Sequence, residues 1–378
     1  MNGSPRYRTL AHRRDADEDD VINRSEKQPV PPLIEVDHAT QSFGTRRGVI
    51  HAVQEVSISL EAGEVLCLVG ESGSGKTTLG KLVAGLRQPT GGRLLFEGQD
   101  IWKASKNEVA RYRRAVQIVH QDPYASLNPV HRVVDILTAP LERHHITHGK
   151  ATVPRVREIL TKVDLTPPDD FLDKYPHQLS GGQRQRVSIA RALTVDPRLI
   201  VADEAVSMVD TSIRVSLLNT LLRLRSELGV AFLFITHDLG IAKYFGQSGD
   251  TAVMYLGRIV ERAPTIELIA NPRHPYSRAL LSAIPVPDPE LTRKKEKVLL
   301  RSMEIPSLLH LPSGCTFHPR CPLFEPGLCD SLAPDLTWLS DRREVACHVA
   351  VREASNGKLD HEGHGLDHEG RQRETRGA

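Results

Sequence analysis

Gly70-Glu71-Ser72-Gly73-Ser74-Gly75-Lys76-Thr77-Thr78 is the stretch on which the fold turns. Its spacing is a Gly, four residues, then Gly-Lys-Ser/Thr, the phosphate-loop pattern. Before it runs Val65-Leu66-Cys67-Leu68-Val69, a short apolar segment that predicts a strand buried on both faces. After it, Leu79 to Leu86 can continue as a helix. The glycines therefore stand where a strand turns into a helix. There the backbone N–H groups of the loop and the first helical turn can converge on a phosphate chain, aided by the helix dipole. Lys76 adds a point charge for the terminal phosphates, and the Thr77 hydroxyl is placed to bind Mg²⁺. A chance Gly/Ser-rich turn would not come with both flanking elements. The stretch predicts an α/β chain with a nucleoside triphosphate site and leaves open what the energy is used for.

The bulk composition narrows the classes. A length of 378 residues is enough for two or three domains. A net charge of +2 gives no global basic field for nucleic acid, and 4% aromatics gives little material for base stacking. Apolar and charged contents of 39% and 25% suit a globular chain. No apolar run approaches the roughly 18 residues of a membrane span, and Met1 to Lys27 has no apolar signal core. The expectation is a cytoplasmic protein that serves a membrane, if it does, through partners.

Residues 1–32 mix basic and acidic clusters and end in a Pro-rich run, which predicts a disordered arm. Order is expected from Leu33. Phe43 precedes the phosphate loop, where an aromatic ring can stack on a purine or simply fill the core. Arg93 to Phe96 reads as a strand. Val116 to Val119 reads as a buried strand ending at His120-Gln121-Asp122, with Gln121 at the edge where open α/β sheets place ligands. Tyr124 to Pro129 reads as a loop. The spacings Val133, Ile136, Leu137 and Val156, Ile159, Leu160, Val163 then predict amphipathic helices.

Leu179-Ser180-Gly181-Gly182-Gln183 opens a further helix, with Ser180 as N-cap and glycines that let the backbone approach an anion. Leu199 to Ala202 is a buried strand that runs into Asp203-Glu204. A carboxylate there is costly unless a cation or hydrogen bonds compensate it. Mg²⁺ suits Asp203, and Glu204 is left to polarise a water. Ala231 to Ile235 is another buried strand, ending at Thr236-His237-Asp238. Gln121, Asp203/Glu204 and His237 thus all sit at C-terminal strand ends, as the phosphate loop does, and together they make a site.

These motifs, in this order, resemble the ATP-binding subunits of ABC transporters over about residues 33–270. The resemblance makes residues 70–78 the Walker A motif, Gln121 the Q-loop and Leu179 to Gln183 the signature. It makes Asp203 the Walker B Asp, Glu204 the catalytic Glu, Asp210 the D-loop Asp, His237 the switch His and Phe43 the A-loop aromatic. A second resemblance rests on Asn271 to Tyr276, Leu280 to Pro285 and Pro312-Ser313-Gly314-Cys315-Thr316-Phe317-His318-Pro319-Arg320-Cys321-Pro322. Together with Gln121 to Pro129, these look like the oligopeptide/dipeptide/nickel importer ATPases, nearer the "F" than the "D" subunit.

The implied fold is a RecA-like P-loop core with an antiparallel β subdomain and an α-helical subdomain at about 126–190. A small Cys-containing C-terminal module at 271–350 and a disordered tail at 351–378 would follow. The implied activity is ATP hydrolysis driving peptide import at the cytoplasmic face of the membrane, with a nickel or oligosaccharide importer as the alternative and a soluble ABC ATPase behind it. Implied partners are a second ATPase chain packed head to tail, two permease subunits and, indirectly, an extracellular solute-binding protein. In that dimer Ser180-Gly181-Gly182 of one chain faces the Lys76 loop of the other. Thr77, Gln121 and Asp203 would hold Mg²⁺, Glu204 would act as base and His237 would contact the γ-phosphate.

The departures are Ala205 where Pro is usual, Ser207-Met208-Val209-Asp210 before the D-loop, and His120 in place of a common Phe. None removes a catalytic group, although Ala205 can slow turnover by freeing the backbone beside Glu204. His361, His364 and His368 in the tail are read as a solvated segment rather than a metal site. Cys67 lies alone in its strand. Cys315, Cys321, Cys329 and Cys347 crowd together in sequence but lack a close Cys-x₂₋₄-Cys pair. In the family this module resembles, these positions are implicated as ligands of a [4Fe–4S] cluster. The expectation is therefore a cluster, with zinc and then free thiols as alternatives.

Overall fold

The computed structural model describes residues 31–284, 298–340 and 342–356. Two sheets follow from two hydrophobic patterns. β1 (Ile34–Thr45) and β2 (Gly48–Leu60) alternate buried with more exposed positions and pair antiparallel. With β4 (Gly91–Phe96) and β5 (Gln99–Asp100) they form a four-stranded sheet in the order β2-β1-β4-β5. Such alternation suits a sheet with one face on a core and one in water.

β3 (Val65–Val69), β7 (Leu199–Asp203) and β8 (Ala231–Thr236) are instead buried at every position. They run parallel with β6 (Val116–Val119) and β9 (Asp250–Tyr255) in the order β9-β3-β8-β7-β6. The period of two divides β3 between two cores. Leu66 and Leu68 join Ile34, Val53, Leu79 and Phe96, whereas Cys67 and Val69 join Phe232, Phe234 and the helices beyond.

Between β6 and β7 the chain is mainly helical. The helices Val133–Arg143 and Thr152–Lys162 bury Val133, Ile136, Leu137, Val156, Ile159 and Leu160, the stripe their spacing predicts. The helix Gly181–Leu193 packs against both. The segment read as a loop from Tyr124 contains one helical turn, Pro123–Ser126. Asp122 caps it by accepting the Tyr124 N–H at 2.7 Å, and Pro123 supplies a preset φ at its first position.

The C-terminal region does not stand apart. β10 (Arg258–Pro264) pairs antiparallel with β9 and with β12 (Arg343–Val345), and β12 pairs with β11 (Thr337–Ser340). The central sheet therefore has eight strands, three of them antiparallel additions at one edge. Glu261 on β10 is fully buried but accepts the N–H groups of Arg273 and His274 at 2.8 and 2.9 Å and faces Arg343 at 3.3 Å. Burial still pushes its carboxyl up, against the pull of those partners. Tyr255 on β9 packs on Tyr276 and Phe317, with ring centroids 4.6 and 5.3 Å away. The helix His348–Ser355 continues past residue 350, where the tail was expected to begin. Residues 1–30 of the expected arm, and the three tail histidines, lie outside the described residues. No helix among the described residues is long and apolar enough to cross a membrane.

Candidate active site

The loop after β3 can be built only with glycine at two of its positions. At Gly70 (φ +153°) a Cβ would stand 2.2 Å from the Met254 carbonyl oxygen, and at Gly75 (φ +107°) 2.1 Å from that of Ala52. The helix Lys76–Val83 starts at Gly75 with no side-chain cap, so its first N–H groups stay open to an anion. Lys76 is buried, and its Nζ donates to the carbonyls of Gly70 and Glu71, both at 2.8 Å. Burial lowers its pKa, while the carboxylates of Glu204, Asp203 and Glu71 oppose that shift.

The strand ends bring the polar groups together. Thr77 Oγ1 donates to Asp203 Oδ1 at 3.0 Å. Burial raises the Asp203 carboxyl, and the Thr77 hydrogen bond opposes the rise. Glu204 has φ +48°, a conformation uncommon for a residue with a Cβ and one that clusters at functional sites. Its N–H donates to the Ile235 carbonyl of β8 at 3.0 Å, and Ser207 Oγ donates to its carbonyl at 2.9 Å. So pinned, its side chain turns to Gln121, whose Nε2 donates to Oε2 at 3.0 Å, and to His237, whose Nδ1 lies 3.3 Å from Oε1. A cavity of about 720 Å³ is lined by residues of the loop with Gln121, Glu204 and His237, and also by Ala52, Leu280 and Leu308.

The residues present fit a Mg²⁺-bound nucleoside triphosphate. The cradle excludes side chains where phosphates would approach, and Thr77 and Asp203 form a pair of hard oxygen donors in which the buried carboxylate accepts from a hydroxyl.

Other expected site residues lie elsewhere. Phe43 is half-buried on β1 and does not line the cavity; the Arg87 guanidinium covers its ring 4.9 Å from the centroid. Ser180 accepts the Gln183 N–H at 3.2 Å and Gln183 Oε1 accepts the Ser180 N–H at 3.0 Å, a reciprocal capping box at the helix Gly181–Leu193. Leu179 is buried and its carbonyl accepts from Arg184 Nε at 2.9 Å. At Gly182 a Cβ would meet Ile213 Cγ2 at 2.6 Å. None of Leu179 to Gln183 lines the Lys76 cavity, nor does Asp210, which is exposed at the start of the helix Thr211–Leu228.

The expected iron–sulfur cluster is overturned. Cys315, Cys321, Cys329 and Cys347 are all described and all free. Among the described residues no group of three or more His, Cys, Asp or Glu side chains is arranged to hold a metal ion, which removes the zinc alternative as well. The physical reason is that these residues serve local packing. Cys315 N–H donates to the Cys329 carbonyl at 2.8 Å, and Cys347 precedes the helix His348–Ser355. Burial pushes the thiols of Cys315 and Cys321 up to about 11 and about 12.

Four contributors were missed. Leu280 and Leu308 reach the cavity wall, and Tyr276 and Arg320 bond to Glu71 of the loop. Tyr276, Leu280 and Arg320 stood in the very stretches that carry the second family resemblance; Leu308 had no sequence signal.

Comparison with known proteins agrees with this geometry. Residues 53–207 match the ABC transporter family, and residues 260–329 match the oligopeptide/dipeptide transporter C-terminal region. The chain is 47% identical over 313 residues to a probable peptide ABC transporter ATP-binding protein, y4tS of Sinorhizobium fredii, covering 83% of this chain and 86% of that one. It is 44% identical over 321 residues to the putative oligopeptide transport ATP-binding protein YkfD of Bacillus subtilis, covering 84% and 95%. Among solved structures it resembles the ATP-binding cassette MJ0796, a dimer in a post-hydrolysis state bound to ADP and Pi. There the TM-score is 0.56 at 27% identity, over 62% of this chain and 99% of that one. It also resembles cbiO1 from Clostridium perfringens, part of the ABC transporter complex cbiONQ. There the TM-score is 0.55 at 26% identity, over 64% and 92%.

Proposed function

The chain belongs to the ABC transporter ATP-binding proteins of the oligopeptide/dipeptide import group, and from that premise we propose how its residues hydrolyse ATP to drive peptide uptake. The observation that carries the reading is the Glu204 carboxylate, held between Gln121 and His237 on the wall of the Lys76 cavity. The loop N–H groups and Lys76 take the β- and γ-phosphates. Lys76 is poised for this because its ammonium has three donors and already points into the loop. Thr77, Asp203 and Gln121 would hold Mg²⁺, which when bound supplies neutralisation of phosphate charge.

Glu204 acts as general base on the attacking water. Gln121 and His237 each engage a different carboxylate oxygen, which fixes its direction while leaving lone pairs for a proton. His237 also contacts the γ-phosphate. Phe43 would stack on the base, with Arg87 already over its ring.

The signature residues Leu179 to Gln183 and Asp210 do not line this chain's own cavity, which supports a role at a second chain's nucleotide in a head-to-tail pair. That pair would work at the cytoplasmic face beneath two permease subunits, fed by an extracellular solute-binding protein. The match of residues 260–329 favours peptide over other solutes and over a soluble ATPase. The test is Lys76→Ala. It should lower ATP affinity and hydrolysis by about 10²-fold and stop uptake of a labelled oligopeptide by vesicles carrying the assembled importer. Unchanged ATP affinity would sink the site assignment, and unchanged uptake would sink the transport role.

A further inference from the structure

The second residue of the phosphate loop is gripped by the far end of the chain. Arg320 Nη1 and Nη2 donate to Glu71 Oε2 and Oε1 at 2.8 and 3.1 Å, a two-bond fork across 249 positions. The Glu71 N–H donates to the Tyr276 hydroxyl at 2.9 Å. Arg320 is 4% exposed and Tyr276 1% exposed, so neither contact is a loose surface pairing. Arg320 also sits near the rings of Tyr255 and Phe317, each centroid 5.8 Å from its Cζ.

This arrangement answers a problem that the loop sequence creates. Glu71 lines the cavity, so the loop that must receive a polyanion carries a carboxylate of its own. Its carbonyl accepts from Lys76 Nζ at 2.8 Å, and its carboxylate is among the charges that act on the Lys76 ammonium. A free carboxylate at that rim repels phosphate. A guanidinium fork cancels the charge and fixes the direction in which the carboxylate points.

We propose that the C-terminal region is a working part of the nucleotide site, in which Arg320 acts as a positioning residue that masks Glu71 and so permits nucleotide phosphates to enter the loop. The inference rests on the ATP reading of the Lys76 cavity and adds to it a reason for joining this region to the ATPase. Displacing the Arg320 contact, for example when a partner binds the C-terminal region, would weaken nucleotide binding at a distance without touching Lys76.

The experiment measures the Kd for Mg-ATP by calorimetry on the purified full chain and four variants: Arg320→Gln, Arg320→Lys, Glu71→Gln and the double variant Arg320→Gln/Glu71→Gln. Arg320→Gln should weaken binding about 10-fold, the effect of one uncompensated charge near the phosphates. Arg320→Lys, which keeps the charge and loses the fork, should fall between it and the wild type. Adding Glu71→Gln to Arg320→Gln should restore affinity to that of Glu71→Gln alone, because Arg320 acts only through Glu71. A merely structural staple predicts no such rescue. If Arg320→Gln does not fold, comparing the double variant with Glu71→Gln still decides: equal affinities support the proposal and a weaker double variant overturns it. Wild-type affinity in Arg320→Gln also overturns it. Failure of the wild-type chain to bind Mg-ATP would instead strike at the ATP reading itself.

Discussion

In the phosphate-loop region, Gln121 and His237 come from different strands and both reach the Glu204 carboxylate, at 3.0 and 3.3 Å. In the C-terminal region, four cysteines stand close together in the sequence and form no group able to hold a metal. Parallel strands end in register, so residues at their C-terminal ends are delivered to one edge whatever their separation in the chain. Loops give no such guarantee. There each cysteine is placed by its own segment, and burial raises the thiols of Cys315, Cys321 and Cys347. The contrast separates groups that topology aims at one another from cysteines that lie near one another without an arrangement that holds a metal.

The sharpest way to break this comparison is Glu204→Gln. If the strand-end cluster is catalytic, turnover should fall by about 10²–10⁴-fold while ATP affinity is kept, as read by a phosphate-release assay beside calorimetry. Wild-type turnover would remove Glu204 from the chemistry.

His274, in the C-terminal region, should respond in stability rather than in turnover. His274 is buried, its Nδ1 accepts the Tyr276 N–H at 3.0 Å, and burial pulls its pKa down to about 3. Below its ordinary value of 6.5 the unfolded chain takes up a proton that the folded chain refuses. The stability from this group is therefore full above pH 6.5 and is lost as the pH falls toward 3. The folding equilibrium should weaken by up to roughly tenfold per pH unit from this group in that window. Denaturant titrations of the wild type and of His274→Gln at several pH values would show it. Equal pH slopes in the two chains would exclude His274 as the source.

Ser180→Arg sharpens the contrast within the ATPase itself. Such a chain should bind ATP at its own Lys76 loop yet spoil the partner's site, so a dimer with one altered chain should lose about half its rate or more. Full activity in purified mixed dimers would contradict the head-to-tail arrangement.

The smallest effect is expected at Cys321. Protein prepared without oxygen should be colourless near 400 nm. Cys321→Ser should leave ATP affinity unchanged and cost only about 1–3 kcal/mol for burying a hydroxyl, measured by thermal unfolding. A brown protein bleached by the substitution would restore the metal reading.

Much of the site was legible because its chemistry demands particular residues at particular backbone positions. Gly70 and Gly75 are required where a Cβ would strike a carbonyl, and Glu204 follows a strand that every neighbour marks as buried. The short turn Pro123–Ser126 was read as loop because one capped turn has too few residues to show a helical period. The join between the C-terminal region and the central sheet was not legible either. β12 has three residues, and its pairing of Val345 with Glu261 is a long-range choice that no local pattern encodes.

The phosphate cradle, the buried parallel strands and the polar residues at their ends were already written in the residue order. Local sterics and strand burial act on neighbouring residues, and so they leave a local record. Long-range packing alone set Arg320 and Tyr276 against Glu71, made Leu280 and Leu308 walls of the nucleotide cavity, and left the four cysteines without a metal-binding arrangement among the described residues. These are contacts between segments far apart in the chain, chosen by packing and charge once the sheet has formed, and residue order alone does not carry them.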